Sequence, residues 1–140
     1  MDVVEEKKRI RNEVREKLKS IRAKDCEENS SVIIKIITQM EEWKTASKVM
    51  LFFPLHNEPQ IIRLMEIALA EEKCVILPKV VQDDLEIYDV NGLSDLIKGS
   101  YGIMEPMPEK CVKADFRELD YILVPGMAFD RRGNRLGRGG

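Results

Sequence analysis

Apolar residues along the first third of the chain recur at the helical period. Ile10, Val14, Leu18 and Ile21 follow one another at four, four and three residues, forming one stripe of an amphipathic helix. Asp25, with Glu28 three residues on, has the capping-box pattern and predicts the start of a second helix. Val32, Ile33, Ile36, Ile37, Met40 and Trp43 continue at the same period. The texture then changes. "KVMLFFP" is a short apolar run closed by proline, the pattern of a strand buried on both faces. "LHNEP" is a loop, "QIIRLMEIALAEEK" a helix and "CVILP" a second buried strand, which together predict a parallel βαβ unit. "DLEIYDVN" alternates apolar and polar positions, as an edge strand does. "GLSDLIKGSYGIMEPMPEK" predicts at most a short helix and a proline-broken crossing segment. "LDYILVPG" is a fourth strand. The pattern is that of an α/β domain with a mostly parallel, helix-covered sheet.

Composition narrows the function classes. The 140 residues can build a real core, and 44% hydrophobic with 34% charged residues describes a globular chain with a charge-rich surface. The net charge of −2 gives no bulk attraction to nucleic acid or membrane, so any anion site must come from local clustering of cations. Three widely spaced cysteines without a C-x-x-C pair predict reduced thiols rather than a disulfide framework or zinc site. With no signal peptide or membrane span in view, the expected compartment is the cytoplasm.

Ligands of an open α/β sheet bind beyond the carboxyl ends of the strands. Two loops are expected there, "PLHNEP" after the first strand and "GMAFDRRGNRLGRGG" after the fourth. In the second, "DRRGN" is turn chemistry, while Gly137, Gly139 and Gly140 allow backbone N–H groups to converge on an anion. Arg138 among them supplies a forked donor suited to phosphate. Three readings stand: a phosphate loop, a solvated terminus, or an RNA-associated tail of arginine and glycine. Lys7 and Arg11 lie one turn apart on a flank of the first stripe, the position of a solvated face or of a cationic contact. His56, the only histidine, has no partner pattern for a metal and reads as a residue capping its turn. Glu58, before Pro59, is open to two readings, the start of the following helix or a ligand-binding carboxylate. No protein nucleophile can be argued, so a phosphate site here points to positioning and charge stabilisation rather than covalent catalysis.

The terminal "PGMAFDRRGNRLGRGG" resembles the signature of the 5-formyltetrahydrofolate cyclo-ligases, also called 5,10-methenyltetrahydrofolate synthetases. "KKRIR" resembles that family's N-terminal K-x-x-x-R motif, "FFPLHNEP" its folate-contacting strand and loop, and "YGIMEP" its mid-chain segment, all in the family's order. The resemblance implies a Rossmann-like, three-layer α/β/α fold. It also implies an ATP-dependent enzyme of one-carbon metabolism that uses Mg²⁺ and turns 5-formyltetrahydrofolate into 5,10-methenyltetrahydrofolate, ADP and phosphate. In that scheme the formyl oxygen attacks the γ-phosphate and the folate N10 then closes the ring. Carried onto this chain, Lys7, Lys8, Arg9, Ile10 and Arg11 with Arg135, Leu136, Gly137, Arg138, Gly139 and Gly140 are assigned to ATP. Arg11, Phe53, Glu58 and Arg138 are assigned to the folate, with Arg138 also catalytic; the metal ligands stay unassigned.

In the family the glycine run continues into a Gly–Tyr–Tyr–Asp segment, a helix and further strands, which this chain does not contain. Residues 1–140 are therefore expected to be a single cyclo-ligase domain incomplete at its C-terminus. Two alternatives follow: a folate- or nucleotide-binding module without turnover, and the RNA-associated protein. The expected partners are small molecules, folate and ATP, with neither nucleic acid nor membrane. A monomer is expected, with dimerisation open through an uncovered sheet edge.

Overall fold

The computed structural model describes residues 2–99 and 102–138. It opens with helix α1 (Val3–Lys19). The Asp2 carboxylate caps it by accepting from the Glu5 N–H at 2.8 Å, with Glu5 and Glu6 in its first turn and Lys17 and Lys19 in its last. Both charge placements suit the helix dipole. The predicted stripe is only half-buried at Ile10, Val14 and Leu18; α1 buries no residue fully, and Ile21 lies beyond its end. The helix therefore rests on the domain rather than forming part of its core.

Helix α2 (Ala23–Gln39) starts before the expected cap. Asp25 is inside its first turn, paired with Arg22 at 3.0 Å, and Arg22 occupies the N-cap position without a side-chain bond. The capping-box expectation is therefore corrected: a charge pair within the first turn engages the carboxylate instead. Extended backbone at Met40 breaks the predicted stripe and starts a separate short helix, α3 (Glu41–Thr45), which carries Trp43. The buried residues of α2 are Ser30, Ile34 and Ile37, whereas Val32 and Ile36 are exposed.

The main sheet has five strands, β1 (Lys48–Met50), β2 (Cys74–Val81), β3 (Asp84–Val90), β6 (Val112–Lys113) and β7 (Tyr121–Ile122), in the order β6-β3-β2-β1-β7. Strand β1 pairs in parallel with β2 on one side and with β7 on the other, and α4 (Ile62–Ala70) connects β1 to β2. This is the predicted βαβ unit. The sequence reading of a mostly parallel sheet holds for these central strands. The flank differs: β3 turns back on β2 through Gln82 and Asp83 and is antiparallel, as is β6 beyond it. The edge strand is consequently the two-residue β6, not β3. The segment expected to hold at most a short helix and a proline-broken crossing forms a hairpin, β4 (Leu96–Lys98) with β5 (Met104–Pro106), and the terminal loop forms another, β8 (Ala128–Phe129) with β9 (Arg135–Leu136).

One apolar cluster unites these elements. Val49 and Leu51 from the first strand run, Val75 and Leu77 from β2, and Val90 from β3 pack with Ile34, Ile37, Trp43, Leu64 and Ala68 of the helices. Trp43 is wholly buried; its Nε1–H donates to Glu71 at 3.1 Å and its ring meets Tyr121 edge-on at 5.5 Å. The Asp120 carboxylate accepts from the N–H groups of Ser47 and Lys48 at 2.9 and 3.0 Å, fixing the start of β7 beside the start of β1. These contacts align the carboxyl ends of the parallel strands on one rim.

Candidate functional site

The loop after β1 folds into a tight turn. The Glu58 N–H donates to the Leu55 carbonyl at 3.0 Å, and the Leu55 N–H donates to Glu58 Oε1 at 2.8 Å. Glu58 is thus buried with one carboxylate oxygen closing its own turn, and α4 begins only at Ile62, so the helix-start reading of Glu58 does not hold. Gln60 seats the loop on α2: its N–H donates to Ser30 Oγ at 2.8 Å, and its amide donates to the Leu55 and Glu58 carbonyls. Among the described residues no buried side-chain nitrogen or oxygen lacks a hydrogen-bond partner, the condition under which polar groups are held in an apolar setting.

Glu58 lines a cleft of about 200 Å³ at the carboxyl ends of the strands. Its apolar walls include Phe52 and Phe53 after β1, Leu77 on β2 and Met104 on β5, and Arg138 lies at its margin. Three residues predicted from the sequence, Phe53, Glu58 and Arg138, therefore share one cavity. A second carboxylate lines it as well. Glu105 is buried, accepts from the Val80 N–H at 2.9 Å and lies 3.8 Å from Lys79 Nζ. Glu105 lies within "YGIMEP", and Tyr101 of that motif lies outside the described residues.

The terminal hairpin positions the glycine–arginine stretch. Asp130 caps the turn by accepting from the N–H groups of Arg132 and Asn134 and from the Asn134 side chain, with Gly133 at φ 86° where a side chain would be strained. The Asn134 side-chain bond, with the backbone N–H groups of the turn, holds the Asp130 carboxyl below its ordinary range. Arg135 stays exposed, with its Nε–H donating to the Pro125 carbonyl at 2.6 Å. Leu136 pairs with Ala128. Gly139 and Gly140 lie outside the described residues.

Helix α1 meets this stretch. Arg11 donates from Nε to the Gly137 carbonyl at 2.9 Å, and Arg15 donates to the Arg138 carbonyl at 3.3 Å. Arg138 in turn donates to Asn57 Oδ1 at 3.3 Å, which joins the terminal stretch to the loop after β1. Arg15, Lys19, His56, Asn57 and Arg138 line a groove of about 690 Å³ on this side. Of the predicted N-terminal residues, Lys7 and Lys8 are exposed and Ile10 is half-buried; Arg9 is turned to Glu6 and Glu13 in an exposed ion-pair triad. The sequence reading missed Arg15 and Asn57. Arg15, one turn after Arg11 on the same flank, was discoverable from helical spacing; Asn57 carried no signal beyond turn chemistry.

Among the described residues, no group of three or more His, Cys, Asp or Glu side chains could hold a metal ion. The described residues thus form no such cluster for the expected Mg²⁺. No helix among the described residues is long and apolar enough to cross a membrane.

In fold and in sequence the chain is similar to named proteins. An NMR structure of a 5,10-methenyltetrahydrofolate synthetase from Aquifex aeolicus superposes with a TM-score of 0.86 at 33% identity, over 96% of this chain and 68% of that one. A 5,10-methenyltetrahydrofolate synthetase from Mycoplasma pneumoniae shares the fold, at 17% identity and a TM-score of 0.72, over 95% of this chain and 71% of that one. A probable 5-formyltetrahydrofolate cyclo-ligase of Schizosaccharomyces pombe is 32% identical over 111 residues, 76% of this chain and 54% of the yeast protein. The chain thus spans about half the length of that relative. The sequence model of the 5-formyltetrahydrofolate cyclo-ligase family matches residues 3–140, and this chain belongs to that family.

Proposed function

We propose that this chain carries the substrate cleft and part of the phosphate seat of an ATP-dependent 5-formyltetrahydrofolate cyclo-ligase. The observation that carries the reading is the convergence of Phe53, Glu58 and Arg138 on one cleft, with Arg11 and Arg15 of α1 bonded to the backbone at Gly137 and Arg138. A flat heteroaromatic ring suits the apolar walls formed by Phe52, Phe53 and Met104. The Glu58 oxygen not engaged by Leu55 is then available to accept from a ring N–H. Arg138 at the margin offers its guanidinium to phosphate oxygens, where fork geometry and charge favour binding.

In the proposed reaction the substrate's formyl oxygen attacks the γ-phosphorus of ATP, the β–γ bridging bond breaks and ADP departs. The N10 of the same folate then attacks the activated formyl carbon, the ring closes, and phosphate leaves with the former formyl oxygen and the proton given up by N10. Both nucleophiles belong to the substrate. The protein's tasks are to hold the formyl group in line with the phosphate and to stabilise negative charge as it shifts to the bridging oxygen. Arg138 is assigned the second task, Phe53 and Glu58 the first. A divalent ion enters with the nucleotide's phosphates, as Mg²⁺ commonly does; no step is assigned to a protein-held metal.

The test is incubation of the chain with 5-formyltetrahydrofolate and MgATP while methenyl absorbance is followed. Growth of that absorbance, dependent on ATP, is the expected result. Binding of both ligands without product reduces the chain to a binding module, and binding of neither overturns the reading.

A further inference from the structure

Resting on the proposed reading, we infer that Asn57 is a positioning residue that couples the folate cleft to the phosphate seat by holding the Arg138 guanidinium. Three observations meet at this residue. Its Oδ1 accepts from Arg138 at 3.3 Å, across 81 positions of chain. It directly precedes Glu58, whose carboxylate lines the cleft while closing the turn onto Leu55. Arg138 itself lines both the apolar cleft and the cationic groove, so its side chain stands at the boundary of the two cavities.

The physical consequence is pre-organisation. Arg138 is an exposed, rotamer-rich side chain, and such a group loses conformational freedom when it binds phosphate. Here its backbone carbonyl is engaged by Arg15 and its guanidinium by Asn57, so much of that ordering precedes any ligand. The Asn57 bond uses one donor of a five-donor fork and leaves the others for phosphate oxygens. The turn bearing Asn57 is itself closed by Leu55 and Glu58 without help from the Asn57 side chain. Removing the Asn57 amide therefore frees Arg138 while leaving the cleft's own scaffold in place. Seating a folate against Glu58 steadies the turn, and through Asn57 it steadies the phosphate-binding guanidinium.

A double-mutant cycle with calorimetric titration of MgATP and, separately, of 5-formyltetrahydrofolate tests this. Asn57→Ala should weaken MgATP binding about two- to tenfold, the range for loss of one hydrogen bond, and leave folate affinity unchanged. Arg138→Ala should weaken MgATP more, and adding Asn57→Ala to it should have no further effect, because Asn57 acts only through Arg138. Saturating folate should tighten MgATP binding in the wild type and not in Asn57→Ala. A purely structural role for Asn57 would produce additive losses on both ligands and overturn the inference, as would an Asn57→Ala protein that binds MgATP like the wild type. If Asn57→Ala folds poorly, Asn57→Ser supplies the same comparison. A wild type that binds MgATP but makes no methenyl product sinks the proposed reaction and leaves the cycle readable; a wild type that binds no MgATP overturns both.

Discussion

Arg11, on the first helix, donates its Nε–H to the carbonyl of Gly137 at 2.9 Å, across 126 positions of the chain. With the Arg15 bond to the next carbonyl, this is what ties α1 to the proposed phosphate seat, since the helix buries none of its residues fully. An element so lightly packed opens locally at little cost. Arg11→Ala is expected to weaken MgATP binding about tenfold or more, while the core's urea midpoint barely moves, because α1 can release without the core opening. Hydrogen exchange should show α1 amides fast in the free protein and slowed by MgATP. Uniformly slow exchange without nucleotide would contradict this account.

Glu58 separates two roles by substitution. Glu58→Gln keeps an oxygen for the Leu55 N–H and should lose folate affinity with little change in stability. Glu58→Ala also strands that buried turn, so it should lower stability by about 1–3 kcal/mol in addition. Thermal melts with folate titrations distinguish the pair; equal destabilisation by both variants would refute the assigned contact.

Trp43 is the chain's only tryptophan and is fully buried, so its fluorescence reports directly on the core. Trp43→Ala is expected to cost about 3–5 kcal/mol in urea unfolding, from the lost packing and the cavity left behind. Trp43→Phe should cost less, losing the Nε1–H bond to Glu71 while retaining an aromatic ring against Tyr121.

Gly99 is constrained by the second cleft carboxylate. A β-carbon there would stand 1.7 Å from Glu105 Oε1, so Gly99→Ala must push Glu105 away from the Val80 N–H it now accepts from. The expected loss is about 1–3 kcal/mol, with a drop in folate affinity because Glu105 lines the cleft. An unaltered melting temperature would show that Glu105 relocates freely.

Acid stability follows from Asp120. Bonds from the backbone N–H of Lys48, then of Ser47, depress its carboxyl below the ordinary value of 3.8. A depressed folded-state value means the unfolded chain takes up the proton first, so the stabilisation is complete above the ordinary value and is lost as pH falls through the depressed one. Urea midpoints between pH 2 and 7, about the range that brackets carboxylate titration, should fall less steeply at the acid end for Asp120→Asn than for the wild type. Identical acid limbs would remove Asp120 from the account.

The sequence by itself determined the elements whose signal is local. Apolar runs at Val49–Leu51 and Val75–Leu77 mark buried strands because no polar face could satisfy them, and the period of Ile10, Val14 and Leu18 marks one helix face. "DRRGN" specifies its turn through Asp130, Gly133 and Asn134, all within the motif. The family was legible because its motifs are contiguous. Tertiary structure decided what depends on chain return. It set β3 antiparallel to β2, gave Glu58 to its own turn, and placed Asn57 against Arg138 and Arg11 against Gly137. Those outcomes rest on pairings between distant segments, whose free energy arises only once the intervening core has folded and brought them together.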